Sequence, residues 1–319
     1  MKIFKKMFVI LILSLVFVSC KSENVKEVKK QETQSVMEKK EPEKETFKGK
    51  YIVGADYVKN NLNNEKVLFV DTRGEKAAKS TGTLNNAIVM SWQDIADVAN
   101  KKPGEDGWGH ILKPEELEKK LSEFGLAKEK EIILISTANA GWGEDGRILW
   151  ELKAAGYTNL KMVDGGFESL KKAGVKVDSD VSAVTKVNVK VEKIDYKNTI
   201  NTKELTKDKA QYKIIDSREK DEYEGATKFG EAKGGHIPGA VNIPYSSLYN
   251  EQGVLKSNAE IEKLFKEKGF DKNDKIVTYC TGGIRSAFMQ LILEMSGYEN
   301  VKNYEGSYYN WSAVNDVEK

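Results

Sequence analysis

The chain has 319 residues, more than one ordinary domain needs, so two globular units with some additional sequence are expected. Its 51 basic and 49 acidic residues leave a net charge of +2, which provides no basic face for nucleic acid. Two cysteines, Cys20 and Cys280, and two histidines, His110 and His236, are too few for a Cys/His zinc cluster or an iron–sulfur centre, so no metal or other cofactor is expected.

The start of the chain reads as an export signal. Lys2, Lys5 and Lys6 are followed by an apolar run over residues 7–18 that is too short to span a bilayer comfortably. The run ends in Phe17-Val18-Ser19-Cys20, which resembles the lipobox of bacterial lipoproteins. That resemblance implies a lipid on Cys20 and a membrane-anchored protein on the extracytoplasmic side, at the cell surface or in the periplasm. Cys280 would then be the only thiol left, and no internal disulfide is possible. Residues 21–50 are mostly Lys, Glu, Gln and Ser and read as a disordered charged tether.

Beyond the tether the chain repeats itself. Val67-Leu68-Phe69-Val70-Asp71-Thr72-Arg73 corresponds to Tyr212-Lys213-Ile214-Ile215-Asp216-Ser217-Arg218, and Ile132-Ile133-Leu134-Ile135-Ser136 to Ile276-Val277-Thr278-Tyr279-Cys280. Gly82-Thr83-Leu84-Asn85-Asn86 stands against Gly235-His236-Ile237-Pro238-Gly239 in the same order. A repeat this long is a duplicated domain. The expected division is a first domain over 51–178, a linker over 179–194 and a second domain over 195–319. Apolar runs rich in Val and Ile alternate with helical patterns over 114–124 and 257–268. Pro114 suits a first helical position, Ser257 with Glu260 forms a capping box, and Gly125 and Gly269 suit the residue past each helix end. The fold class is therefore α/β, with two tandem domains that each carry a parallel sheet covered by helices on both faces.

The chemistry is expected where one strand ends. Residues 275–279 form a buried strand, Cys280 follows, and a helix is expected about six residues later. The glycines of Thr281-Gly282-Gly283-Ile284-Arg285 let the backbone curl so that successive N–H groups point inward, and the helix N-terminus adds positive potential. Such a nest with Arg285 favours a thiolate on Cys280 and binds a small anion.

These motifs, with Asp216-Ser217-Arg218, Gly235-His236-Ile237-Pro238-Gly239-Ala240, Tyr304-Glu305-Gly306 and Trp311, resemble a tandem-domain rhodanese, a thiosulfate sulfurtransferase. The resemblance implies a persulfide on Cys280, an anion cradle formed by Thr281, Gly282, Gly283, Ile284 and Arg285, and support from Asp216 and Arg218. It implies a small anionic sulfur donor and cyanide or a thiol as acceptor. Asp216 and His236 read as structural. Thiosulfate enzymes of the family place a basic residue two positions after the Cys, where Gly282 stands. They place an Arg six positions after the Asp, where Glu222 stands, so thiosulfate and 3-mercaptopyruvate both remain open as donors. The first domain is a degenerate copy with Ser136 in place of the Cys and a longer loop over 137–146. It is expected to be inactive and to shape the cleft, with Trp142 reaching toward the interface.

Two other readings use the same residues. A Cys-dependent phosphatase of this fold needs five residues between Cys and Arg, and here Thr281, Gly282, Gly283 and Ile284 make four. A non-enzymatic anion-binding or redox-sensing module would use the nest and the lone thiol without turnover.

Overall fold

The computed structural model describes residues 45–99, 101–179 and 183–319. Cys20, the export signal and residues 21–44 of the expected tether lie outside them. Among the described residues no helix is long and apolar enough to cross a membrane.

The first half runs β1 (Ile52–Val53), α1 (Ala55–Asn61), β2 (Val67–Asp71), α2 (Glu75–Thr81), β3 (Thr83–Leu84), β4 (Ile88–Val89), α3 (Pro114–Glu123), β5 (Glu131–Ile135), α4 (Glu144–Ala154), β6 (Leu160–Val163), α5 (Gly166–Lys172) and β7 (Val177–Asp178). The second half runs β8 (Thr199–Ile200), α6 (Thr202–Asp208), β9 (Lys213–Asp216), α7 (Lys220–Tyr223), β10 (Val241–Asn242), α8 (Asn258–Glu267), β11 (Lys275–Tyr279), α9 (Ile284–Met295), β12 (Asn300–Tyr304) and α10 (Ser307–Val314).

Each half builds a five-stranded sheet. The orders are β4-β2-β5-β6-β1 and β10-β9-β11-β12-β8, the same path walked twice, and all the pairings are parallel. The central strands β5 and β11 are buried on both faces, which is why they read as continuous apolar runs with no alternation. An antiparallel pair, β3 with β7, occurs in the first half.

The paired helices α3 and α8 show how local sequence sets the boundaries. Each buries two residues four apart, Leu117 and Leu121 or Ile261 and Phe265, so one face meets the sheet. Pro114 opens α3, and the Ser257–Glu260 capping box opens α8.

The end of the expected tether and the expected linker are both packed against the domains. Phe47 is buried in the core, and Lys48 exchanges two hydrogen bonds with Asn258, its N–H donating at 2.7 Å and its carbonyl accepting at 2.9 Å. The tether boundary at residue 50 is therefore corrected to before residue 47. One aromatic side chain among charged neighbours suffices to anchor the chain there, because burying a Phe offsets the ordering cost of a few residues. The linker is fastened along α3, with the Val187 N–H donating to the Ser122 carbonyl, the Val189 N–H to Ser122 Oγ and the Val191 N–H to Glu118 Oε2.

The halves meet through α4 and α9, the two helices that follow the equivalent loops. Ile148, Leu152, Phe288 and Leu291 belong to one buried cluster that runs through both sheets.

Candidate active site

β11 ends at Tyr279, and Cys280 begins the loop to α9. The helix starts at Ile284, nearer to Cys280 than expected, because Gly283 turns the chain in the left-handed region at φ 86°. A β-carbon there would also lie 2.7 Å from the Glu305 carbonyl oxygen, so only glycine fits. The early start places Arg285 and Ser286 in the first turn of α9, where the helix dipole favours an anion. The Gly283 N–H donates to Cys280 Sγ at 3.2 Å.

The loop is clamped from the other side by the start of α10. The Cys280 N–H donates to Ser307 Oγ at 3.1 Å, and that hydroxyl donates to the Tyr304 carbonyl at 2.8 Å. The Cys280 and Thr281 carbonyls accept from the N–H groups of Tyr308 and Tyr309. Ser307 holds a positive φ of 49° to make these bonds.

The electrostatics turn on one buried ion pair. Arg285 Nη1 and Nη2 donate to the two carboxylate oxygens of Glu222 at 2.7 and 2.8 Å, and Nη2 also donates to Thr281 Oγ1. The Thr281 hydroxyl in turn donates to Glu222 Oε1 at 2.9 Å. Burial works against the Glu222 carboxylate, yet Arg285 and Thr281 hold it below the ordinary range. Burial likewise works against a Cys280 thiolate. The Arg285 charge, the Ser286 N–H and hydroxyl, and the Gly282 N–H outweigh it, and the thiol is lowered. The arrangement favours the thiolate, the nucleophilic form of the side chain.

The expected site residues divide into three groups. Cys280, Thr281, Gly282, Gly283 and Arg285 share one loop, and Thr281, Gly282 and Ile284 line a cavity of about 300 Å³. Asp216 and Arg218, both fully buried, lie behind it: Arg218 pairs with Asp216 at 2.6 Å and donates to the Gly235 carbonyl, and Tyr279, the residue before Cys280, donates to Asp216. Their contacts brace the strand end. His236 lies away from the thiol, stacked on Tyr223 with its Nδ1 3.1 Å from the Tyr223 carbonyl.

The first half contributes more than an interface. Trp108 covers Gly282 so closely that a β-carbon at 282 would lie 3.1 Å from Trp108 Cζ3, so an indole fills the space where the rhodanese pattern carries a basic side chain. Trp92, Trp108 and Trp142 line the cavity with Phe229 and Tyr309, and the Trp142 ring centroid lies 5.0 Å from the Arg285 guanidinium carbon. Arg147 on α4 is fully buried. It donates to the Gly283 carbonyl at 3.3 Å and the Gly109 carbonyl at 2.5 Å, and it pairs with Glu151 at 2.6 Å. Sequence reasoning found Trp142 but missed Trp108, Arg147, Ser286 and Ser307, and it met Glu222 only as a departure. The one local signal was the glycine-rich stretch around Trp108-Gly109-His110.

Ser136, at the place equivalent to Cys280, is fully buried beside Asp145, whose carboxyl burial pushes up to about 7 against hydrogen bonds from Ser136 and the Gly146 N–H. Tyr245, donating to the Ala138 carbonyl, closes over the same loop.

Comparison with known proteins agrees with the duplicated architecture. A family model described as "Rhodanese-like domain" matches residues 54–173 and again 201–314. A Mycobacterium bovis protein provisionally named thiosulfate sulfurtransferase 1 is 30% identical over 281 residues, covering 82% of this chain and 95% of that relative. The solved 3-mercaptopyruvate sulfotransferase SseA of Escherichia coli shares the fold with a TM-score of 0.70 at 20% identity, covering 81% of this chain and 98% of that one. The anaerobic ergothioneine biosynthesis enzyme of Chlorobium limicola, solved with its natural substrate trimethyl histidine, gives a TM-score of 0.74 at 20% identity, covering 85% and 70%.

Proposed function

Because the chain belongs to the rhodanese family of sulfurtransferases, we propose that Cys280 is its sulfur carrier, taking sulfane sulfur from thiosulfate or a related donor and passing it to cyanide or a thiol. The single observation that carries this reading is the Gly283 N–H directed at Cys280 Sγ within a four-residue loop that closes on Arg285. With thiosulfate, the thiolate attacks the outer sulfur, a new S–S bond forms, and the old S–S bond breaks with its electron pair leaving on sulfite. The Cys280 persulfide is held by the same N–H groups and helix N-terminus that favoured the thiolate. An incoming cyanide or thiolate then takes the outer sulfur and returns the electron pair to Sγ. Mass spectrometry of protein treated with thiosulfate should show one added sulfur on Cys280 and none in Cys280→Ser. Absence of that adduct with both thiosulfate and 3-mercaptopyruvate would sink the assignment.

The signal-like start and Ser19-Cys20 support a second part of the reading, that the protein is exported and held at the extracytoplasmic face by a lipid on Cys20. Recovery of full-length protein in the membrane fraction, lost in Cys20→Ala, is the expected result. Equal partitioning of the two forms would contradict it.

A further inference from the structure

The cavity over the loop has a wall chemistry that small inorganic anions do not call for. Five aromatic rings surround it: Trp92, Trp108, Trp142, Phe229 and Tyr309. They meet near right angles, Trp108 at 82° to Trp92 and 86° to Tyr309, and Trp142 at 70° to Phe229. Rings so arranged offer faces as well as edges to a ligand, and the faces carry the negative end of the ring quadrupole.

The charges point the same way. Among the described residues Glu144 is the one charged side chain that lines the cavity. It is held in place by the Trp142 N–H, which donates to its Oε2 at 2.9 Å. Arg285, the cation beside the thiol, is partly offset by the bidentate contact with Glu222 and lies beneath the Trp142 ring. At the position two residues after the Cys, a side chain would press on the Trp108 ring. Thr281 and Gly282, the two residues after Cys280, bring its loop to the cavity wall, and among the described residues no lysine, arginine or histidine lines it.

Resting on the persulfide reading above, we propose that the sulfur acceptor is a small organic thiol that carries a positive charge, seated against the Trp108, Trp142 and Tyr309 rings with its cation toward Glu144. The acceptor thiolate attacks the outer sulfur of the Cys280 persulfide, and the new bond joins acceptor sulfur to transferred sulfur. The bond to Sγ breaks, and its electron pair stays on Sγ as the thiolate that the Gly283 N–H already meets. The proton of the persulfide travels with the transferred sulfur. No oxidant or reductant is consumed.

The test uses the full protein, loaded with inorganic polysulfide and discharged with thiols matched in size: thiocholine as the cation, 2-mercaptoethanol as the neutral reference and 2-mercaptoethanesulfonate as the anion. Loss of the added sulfur is followed by mass spectrometry, with rates expressed per thiolate. Thiocholine should discharge Cys280 about tenfold faster than the sulfonate, the size expected of a cation–π contact in a partly desolvated site. In Trp142→Leu and in Glu144→Gln, both at exposed or half-exposed positions, the ratio should fall toward one. A ratio near one in the unaltered protein, or a ratio untouched by both substitutions, overturns the proposal. If polysulfide loads no sulfur on Cys280, the persulfide reading falls by itself. The charge preference is then read from the free thiol with trimethylammonioethyl and sulfonatoethyl methanethiosulfonates, where the same cation preference is expected and its absence overturns the cationic seat.

Discussion

The thiol of Cys280 sits where two effects oppose each other: full burial, which penalises a thiolate, and the charge of Arg285 with the donors of Ser286 and Gly282, which favour it. Glu222 tempers the second effect by occupying both terminal nitrogens of Arg285. Replacing Glu222 by Gln keeps the shape and removes the opposing charge, so the thiolate should be favoured further. The half-point of Cys280 alkylation should fall by about one pH unit in Glu222→Gln. The sign follows from the acid: less negative charge beside it lowers its pKa, so the reactive form persists to lower pH. The same variant should use thiosulfate with a higher kcat/KM, since the dianion then meets an uncompensated Arg285. An unchanged alkylation profile would mean that Glu222 only orients Arg285.

At the level of elements, α4 reaches across to the loop that α9 begins. Arg147 ties the Gly283 carbonyl to the Gly109 carbonyl, and with them the Cys280 loop to the segment that carries Trp108. Burial pushes the Glu151 carboxyl up to about 8 even beside Arg147, so in Arg147→Met it is protonated, and the lost buried hydrogen bonds should cost about 1–3 kcal/mol of stability in a denaturant titration. The double variant Arg147→Met/Glu151→Leu should recover part of that loss, because the buried carboxyl is then gone. It still lacks the donor to Gly283, so Cys280 should alkylate more slowly and at higher pH than in the unaltered protein. Wild-type reactivity in the stable double variant would show that Arg147 joins the halves without positioning the loop. What could be read in advance follows the same division. β11, the Gly-Gly turn, Arg285 and the helix caps are written in adjacent residues and were legible. Arg147 and Trp108 lie more than 130 residues before Gly283 and look like ordinary helix and loop residues until the sheets are packed. Glu222 was legible as an oddity and became intelligible only once Arg285 was seen across from it. The tether boundary was misplaced because Phe47 is a single aromatic in a charged run, too little for a composition argument to weigh.

For the molecule as a whole, the two halves share one apolar cluster from Phe47 through α4 and α9 to Val301. Neither half can keep its side of that surface wet without losing a large share of its burial. Urea unfolding followed by tryptophan fluorescence and by circular dichroism should therefore give one coincident transition. Two separated transitions would mean that the halves are independent despite the shared cluster.

Trp108 seated over Gly282 separates two tasks that single-domain catalysts must combine. The Cys280 loop belongs to the second half, whereas three of the five rings that line the cavity, and the Glu144 carboxylate, belong to the first. Acceptor choice can then be rewritten at Trp92, Trp108, Trp142 and Glu144 without touching any residue between Lys275 and Arg285. On the proposed chemistry, the first half becomes an exchangeable selector for the half that carries Cys280.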